Sequence, residues 1–189
     1  NDKTPLLSIK YNNEIINSHL IGDFQFSNIL LAICVGNYFN ISTQNIKKSI
    51  ENYIPTNNRS QLVKTKTNTL ILDAYNANPT SMKAALDNLS QLKDSKKIAI
   101  LGDMFELGEN AKKEHQTISE YALSLDIDGV YLVGFNFYNS QIDSKQITYF
   151  KSFEDLNTSI NLNDFQNSTI LIKGSRGMAL ERILNESVI

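Results

Sequence analysis

Short apolar runs alternate with longer amphipathic stretches from about residue 69 onwards. Runs of four or five apolar residues are typical of strands covered on both faces, and the 3.6-residue spacing of the longer stretches predicts helices. Repeated strand–helix units favour a mainly parallel sheet with right-handed crossovers, so the predicted fold class is α/β. We predict strands at 69–74, 97–101, 129–133, 146–150 and 169–172, and helices at 80–92, 111–125, 153–162 and 178–186.

The first 57 residues follow a different pattern. Two alternating segments, 6–11 and 14–20, flank the turn pair Asn12-Asn13, which predicts a β-hairpin. The next apolar stretches predict a pair of helices at 27–39 and 42–53.

The second of these helices has its own start and stop signals. Ser42 or Thr43 can cap it, and the isoleucines at 46, 50 and 54 form one stripe. Pro55 and the polar residues after it break the helical pattern and lead to a possible edge strand at 61–66. We place a domain boundary near residue 58, with residues 1–57 and 58–189 as two domains.

Composition indicates an ordinary soluble protein. Hydrophobic residues make up 41% of the 189, and the formal net charge is −2, which gives no basic excess for binding nucleic acid. No apolar segment approaches the roughly 20 residues that span a bilayer, so we expect a cytoplasmic location without membrane contact. The single cysteine, Cys34, lies in an apolar run, which predicts a small buried side chain and no disulfide.

Polar loops follow several of the predicted strands. Asp73 comes directly after the run 69–72, and Asn76 and Asn78 follow it before Pro79 opens a helix. Open α/β sheets bind ligands at the carboxyl ends of their strands, so this loop is a candidate site. The alternative is that these Asp and Asn side chains only satisfy turn and cap geometry.

Two further loops are predicted on the same edge of the sheet. Asp103 and Glu106 follow the strand at 97–101, and Lys173, Ser175 and Arg176 follow the strand at 169–172. The second loop joins cationic side chains to a helix start, which favours anion binding. The alternatives are solvated or capping carboxylates in the first loop, and cations merely near the surface in the second.

Several of these segments, taken together, resemble one enzyme family. The chain is similar to the C-terminal part of a Mur ligase in Asp-Ala-Tyr-Asn-Ala-Asn-Pro-Thr-Ser-Met at 73–82, in Leu-Gly-Asp-Met-Phe-Glu-Leu-Gly at 101–108 with His115, and in Lys-Gly-Ser-Arg at 173–176. Upstream, 22–28 looks like the family's Gly-x-His-Asn-x-x-Asn segment, and 58–61 looks like its hinge arginine motif. The resemblance covers roughly residues 20–189.

The resemblance implies an ATP-dependent carbon–nitrogen ligase. It points to family members that join D-alanyl-D-alanine to UDP-N-acetylmuramoyl-tripeptide through an acyl phosphate, in the synthesis of the peptidoglycan precursor. It implies ATP and Mg²⁺ as cofactors, and a monomer. The fold it implies is a Rossmann-like C-terminal domain at 58–189, with 1–57 as the C-terminal piece of the central ATP-binding domain.

The resemblance also implies roles for single residues. Arg59 becomes the catalytic contact to the γ-phosphate, and Asp73 the acceptor for the ribose hydroxyls. Phe24 and Gln25 stand where the family has histidine and asparagine, so Asn28 is assigned to adenine. For the dipeptide, the ammonium is assigned to Asp103 and Glu106, and the carboxylate to the loop at 173–176. The residues predicted to bind substrate are Asn76, Asn78, Asp103, Glu106, Lys173, Ser175 and Arg176. We assign no catalytic role to His115 and no metal ligand in this chain.

The chain contains no Gly-x-x-x-x-Gly-Lys-Ser/Thr loop to cradle phosphates. We therefore expect a fragment that folds but is inactive alone, with the magnesium ligands and the nucleotide-sugar pocket outside it. Two alternatives stay open. One is a related ligase with another amine, such as a folylpolyglutamate synthase-like enzyme, and the other is a non-catalytic binding module on a Rossmann-like sheet.

Overall fold

The computed structural model describes residues 6–93 and 96–184, and the chain divides into two compact units, Asn1–Thr56 and Asn57–Ile189. The first unit opens with the antiparallel strands β1 (Leu6–Tyr11) and β2 (Glu14–Ile21). Asn12 and Asn13 join them with φ angles of 45° and 62°, the left-handed pair that a tight hairpin turn requires. The predicted hairpin is confirmed.

Two helices complete the first unit, α1 (Phe26–Tyr38) and α2 (Thr43–Asn52). Ser42 caps α2 by accepting a hydrogen bond from the Asn45 amide. One face of α1 packs on the hairpin and on α2 through a small core of Ile9, Ile16, Ile29, Ile33 and Ile46.

Two predictions in this unit are wrong. Ile54 lies beyond the end of α2 and is 64% exposed, because the helix stops at Asn52 before the stripe reaches it. Cys34 is exposed rather than buried, because α1 turns Ile33 into the core and the next residue lies about 100° further round the helix.

Within the described part of the chain, the second unit contains a six-stranded sheet. Its strands are β3 (Gln61–Lys64), β4 (Thr69–Asp73), β5 (Lys96–Gly102), β6 (Gly129–Val133), β7 (Ile147–Phe150) and β8 (Ser168–Lys173). The strand order is β3-β4-β8-β5-β6-β7, with β3 antiparallel to β4 at one edge and all other pairs parallel. The predicted α/β fold with a mainly parallel sheet is confirmed.

Helices connect the parallel strands, namely α3 (Pro79–Ser90), α4 (Ala111–Leu123), α5 (Phe135–Tyr138) and α6 (Phe153–Ser159). The central strand β8 is buried along its whole length, which explains its apolar run at 170–172. Each fully buried Leu or Ile side chain contributes about 1.5–3 kcal/mol. The sheet core includes Leu70, Leu72, Ile98, Ile100, Ile170 and Ile172.

The predicted last helix is wrong over its described part. Residues Arg176–Met178 and Leu180–Ile183 form two separate 3₁₀ turns, and Ala179 between them takes the left-handed conformation at φ 46° and ψ 46°. A left-handed residue cannot continue a right-handed helix. The rest of that prediction falls on residues 185–186, which lie outside the described residues. No helix in the described part of the chain is long and apolar enough to cross a membrane.

Asn78 starts α3 with a reciprocal capping box. Its side-chain oxygen accepts a hydrogen bond from the backbone amide of Ser81 at 2.9 Å, and its backbone amide donates to the Ser81 hydroxyl at 3.1 Å. Replacing Asn78 by alanine is expected to lower the free energy of unfolding by about 1 kcal/mol, whereas aspartate, an equally good cap, keeps most of the stability. Urea denaturation followed by circular dichroism checks this, and equal stability of the Ala and Asp variants would contradict the role.

Candidate functional site

The carboxyl ends of β4, β8 and β5 lie side by side at one edge of the sheet. In the strand register Lys173 pairs with Asp73 on one side and with Leu101 on the other. The three predicted polar loops therefore start from adjacent strands, as expected for a parallel sheet.

A buried ion pair joins two of these strands. The Lys173 ammonium lies 2.5 Å from Asp73 Oδ2 and donates to the Asn76 carbonyl oxygen at 3.1 Å. The Lys173 side chain is 2% exposed and that of Asp73 is 18% exposed. The other carboxylate oxygen, Oδ1, accepts from the backbone amide of Ser60 at 3.0 Å and from its hydroxyl at 3.3 Å.

This geometry changes the interpretation of Lys173. Its ammonium is buried and already neutralised by Asp73, so it is not a free cation for a substrate carboxylate. Lys173 therefore organises the strand ends, and direct contact of its side chain with a substrate stays a prediction. Asp73 remains partly exposed and keeps lone pairs for a further donor.

Two arginines converge on the ring of Tyr75. The guanidinium carbon of Arg59 lies 3.7 Å from the ring centre, and that of Arg176 lies 5.2 Å from it. Both arginines are exposed and Tyr75 is half-buried. Cations held over an aromatic face are stabilised by the ring quadrupole, and their outer N–H groups stay free to bind anions. The sequence predicts binding roles for both arginines but none for Tyr75, although Tyr75 lies inside the motif at 73–82.

The loop after β5 is built around a buried carboxylate. Asp103 is 2% exposed, and its two oxygens accept from the backbone amides of Asn136 at 2.8 Å and Phe137 at 3.0 Å. It thus holds the first turn of α5. Both oxygens are thus engaged within the fold, and binding of a substrate ammonium by Asp103 stays a prediction.

His115 fixes the same loop from the other side. It is fully buried; its Nε2 accepts from the Met104 amide at 3.0 Å, and its Nδ1 lies 2.6 Å from the Ala111 carbonyl oxygen. Because Nε2 accepts a hydrogen bond, the proton on Nδ1 donates to the Ala111 carbonyl oxygen. The structure therefore gives His115 a structural role.

Ser175 ties this loop to the loop after β8. Its hydroxyl accepts from the Phe105 amide at 2.9 Å, and its own amide donates to the Asp103 carbonyl oxygen at 3.1 Å. Ser175 is buried, so its contribution to substrate binding stays a prediction. Glu106 is exposed at the tip of the loop with a φ of 64°, where its carboxylate can meet a cationic ligand.

The remaining predicted residues have mainly local partners. Asn76 is exposed, and its side-chain oxygen accepts from the Ala77 amide at 2.9 Å. Asn78 caps α3, as the alternative interpretation of this loop proposed. Asn28, in the first unit, is exposed and donates to Gln25 Oε1 at 2.6 Å. Ligand binding by these three amides stays a prediction.

The edge of the sheet therefore presents a cationic surface of Arg59 and Arg176 around Tyr75, with Asp73 beside it. Such a surface suits an anionic ligand that also carries hydroxyl donors. Among residues 6–93 and 96–184, no three His, Cys, Asp or Glu side chains come together as a metal site would require.

Comparison with known proteins identifies the family. The model of the "Mur ligase, glutamate ligase domain" family matches residues 58–176. UDP-N-acetylmuramoyl-tripeptide–D-alanyl-D-alanine ligase of Rickettsia prowazekii is 37% identical over 136 residues, which are 69% of this chain and 30% of that protein. The enzyme of the same name from Bacillus subtilis is 31% identical over 177 residues, 89% of this chain and 39% of that protein.

Solved structures show the same fold. MurF from Acinetobacter baumannii superposes with a TM-score of 0.80 at 24% identity, covering 95% of this chain and 41% of that one. MurF ligase from Thermotoga maritima in complex with ADP gives a TM-score of 0.72 at 24% identity, covering 95% and 42%. The chain thus spans only 30–39% of the two curated relatives named above. Since the family model covers more than half of its 189 residues, the chain belongs to the Mur ligase family.

Proposed function

We propose that this chain is part of an ATP-dependent ligase that joins D-alanyl-D-alanine to UDP-N-acetylmuramoyl-tripeptide in the synthesis of the peptidoglycan precursor. The observation that carries the proposal is the pair of exposed arginines on Tyr75 at the carboxyl edge of the sheet, in a chain whose named relatives are ligases of this specificity. The alternatives with another amine or without catalysis have no such support.

The donor set at this edge fits part of a nucleotide. Arg59 offers a planar guanidinium that can grip two phosphate oxygens, and the exposed part of Asp73 can accept from ribose hydroxyls. Binding of the adenine edge by Asn28, in the first unit, stays a separate prediction. ATP supplies the phosphate that activates the tripeptide carboxylate. Arg59 stabilises charge on that phosphate, which in related chemistry is worth orders of magnitude in rate.

The acceptor dipeptide carries one anionic and one cationic end before it reacts. We propose that Arg176 binds its carboxylate and that Glu106 contributes to holding its ammonium until the amine loses a proton and attacks. Holding the amine beside the activated carboxyl turns a bimolecular step into an effectively unimolecular one. The buried residues Lys173, Asp103 and Ser175 position these loops, and direct contact of their side chains with the dipeptide stays a prediction.

The phosphate loop and the Mg²⁺ ligands are proposed to lie in other parts of the full-length protein, as is the pocket for the nucleotide sugar. The 189 residues contain no glycine-rich phosphate loop, so the isolated chain is expected to show no ATP turnover. The protein's monomeric state and its lack of a nucleic-acid partner also stay predictions.

A ligation assay on the full-length protein tests the proposal. With ATP, Mg²⁺ and UDP-N-acetylmuramoyl-tripeptide, we expect D-alanyl-D-alanine to give the pentapeptide product and ADP in equal amounts, measured by mass spectrometry and coupled ADP detection. Glutamate and L-alanyl-L-alanine serve as control acceptors. Product from a folate and glutamate, supplied in place of the tripeptide and the dipeptide, would favour the folylpolyglutamate-type alternative, and no product with either carboxyl substrate would favour a binding module.

A further inference from the structure

We propose that Tyr75 is a positioning residue that holds Arg59 and Arg176 against one aromatic ring. Arg59, which binds the phosphate, and Arg176, which binds the carboxylate of the acceptor, then form a single site. The inference rests on the proposed function for the identity of the two anions. Neither the family match nor the names of the relatives assign a role to this tyrosine.

The two guanidinium groups are close together. Their carbons lie 3.7 Å and 5.2 Å from the same ring centre, so they are separated by at most about 9 Å. An extended dipeptide is about 7 Å long, at 3.3–3.6 Å per residue. One dipeptide can therefore place its amine at the reacting carboxyl beside Arg59 while its own carboxylate reaches Arg176.

The backbone around each of the three side chains is fixed. Arg59 precedes Ser60, which is buried, has a φ of 48° and donates from its amide to Asp73. Arg176 follows the buried Ser175, which bonds to the loop after β5. Tyr75 lies between the buried residues Ala74 and Ala77.

The exposed arginine side chains have no comparable constraint of their own. A long, exposed arginine loses much rotamer freedom when it binds an anion, and a ring that holds the guanidinium beforehand reduces that loss. The ring also leaves the outer N–H donors free, which a carboxylate partner in its place would occupy. Tyr75 therefore supports two cations without neutralising them.

Two variants separate positioning from stability. Tyr75→Phe keeps the aromatic ring, whereas Tyr75→Leu removes the ring and keeps apolar volume. In the full-length protein, we expect Tyr75→Leu to raise the KM for D-alanyl-D-alanine about tenfold and to lower kcat about fivefold, with Tyr75→Phe close to wild type. D-alanyl-D-alaninamide, which lacks the carboxylate, should show the fall in kcat but no rise in KM.

A second measurement is independent of ligation. In the ¹⁵N-labelled 189-residue chain, inorganic pyrophosphate should shift the Nε–Hε signals of Arg59 and Arg176 together, in wild type and in Tyr75→Phe. Tyr75→Leu should bind pyrophosphate at least fivefold more weakly. Thermal unfolding by circular dichroism shows whether each variant is folded under the assay conditions.

The outcomes separate the two proposals. Failure of the full-length protein to use the dipeptide would overturn the proposed function. The pyrophosphate titration would then still test whether Tyr75 positions the two arginines. Unchanged pyrophosphate affinity in folded Tyr75→Leu, or a response from only one arginine, would overturn the role of Tyr75. Equal KM effects with dipeptide and amide would also overturn it, since the carboxylate grip would then be unaffected.

Discussion

Replacing Lys173 by methionine is expected to lower the free energy of unfolding of the second unit by about 3–5 kcal/mol. Methionine fills a similar volume but removes the ammonium, which leaves the Asp73 carboxylate without its ion-pair partner in a mostly buried position. It also removes the donor to the Asn76 carbonyl oxygen. The cost is large because an unpaired buried charge loses far more solvation energy than an exposed one.

A double-mutant cycle attributes this cost to the pair. Asp73→Asn removes the charge that Lys173→Met leaves unpaired, so the double variant should be more stable than the sum of the single effects indicates. Glu154→Gln is the matched control, because its ion pair with Arg182 is exposed and is expected to contribute about 0–1 kcal/mol. Guanidinium chloride denaturation of the wild type and the four variants measures these effects. A Lys173→Met midpoint equal to that of Glu154→Gln would contradict the buried-pair interpretation.

The Lys173–Asp73 pair also depends on a feature that the local sequence could not predict, namely the order of the strands. The apolar runs predicted the strands of the parallel sheet, since a strand covered on both faces leaves a continuous apolar signature in local sequence. The sequence did not indicate that β8 inserts between β4 and β5, because strand order depends on packing between segments 100 residues apart. Without that order, Lys173 was interpreted as a free cation.

Asp103 and Ala179 illustrate two other limits. A carboxylate that follows a strand has the same local sequence whether it faces a ligand or caps a helix; only the position of α5 shows that Asp103 caps. Ala179 favours helix by propensity, yet it takes a left-handed conformation between two 3₁₀ turns. There, Leu180 packs against Gly102 and Gly174, and this tertiary contact accompanies the departure from local preference.

The arginines of the candidate site were assigned from the sequence, but the ring that joins them was not. Arg59 and Arg176 lie 117 positions apart, and each has a recognisable chemical use alone. Tyr75 has no distinctive chemistry until the sheet brings both guanidinium groups to it. Motifs therefore predicted the two arginines, and the fold shows the ring that both of them contact.

Replacing Gly134 by alanine is expected to destabilise the second unit by about 4 kcal/mol or more, a large part of the stability of a typical domain. Gly134 connects β6 to α5 at a φ of 123°, a region that is essentially restricted to glycine. A Cβ at this position would lie 2.4 Å from Asp103 Cγ and within 2.7 Å of both carboxylate oxygens. Asp103 cannot move away without breaking its hydrogen bonds to α5.

Gly108→Ala separates the two causes of this cost. Gly108 also has a positive φ, 55°, but a Cβ there would meet no atom within 4 Å, so only the backbone penalty of about 1–2 kcal/mol applies. If crowding against Asp103 supplies the rest, adding Asp103→Ala to Gly134→Ala should cost less than the two single effects together. Urea denaturation of the four variants decides this, and equal losses for Gly134→Ala and Gly108→Ala would show that the contact with Asp103 contributes nothing. A double variant that loses less than the two single effects together would instead show that Asp103 crowds the added side chain, because the buried carboxylate that holds α5 fits against the chain only where the facing residue has no side chain.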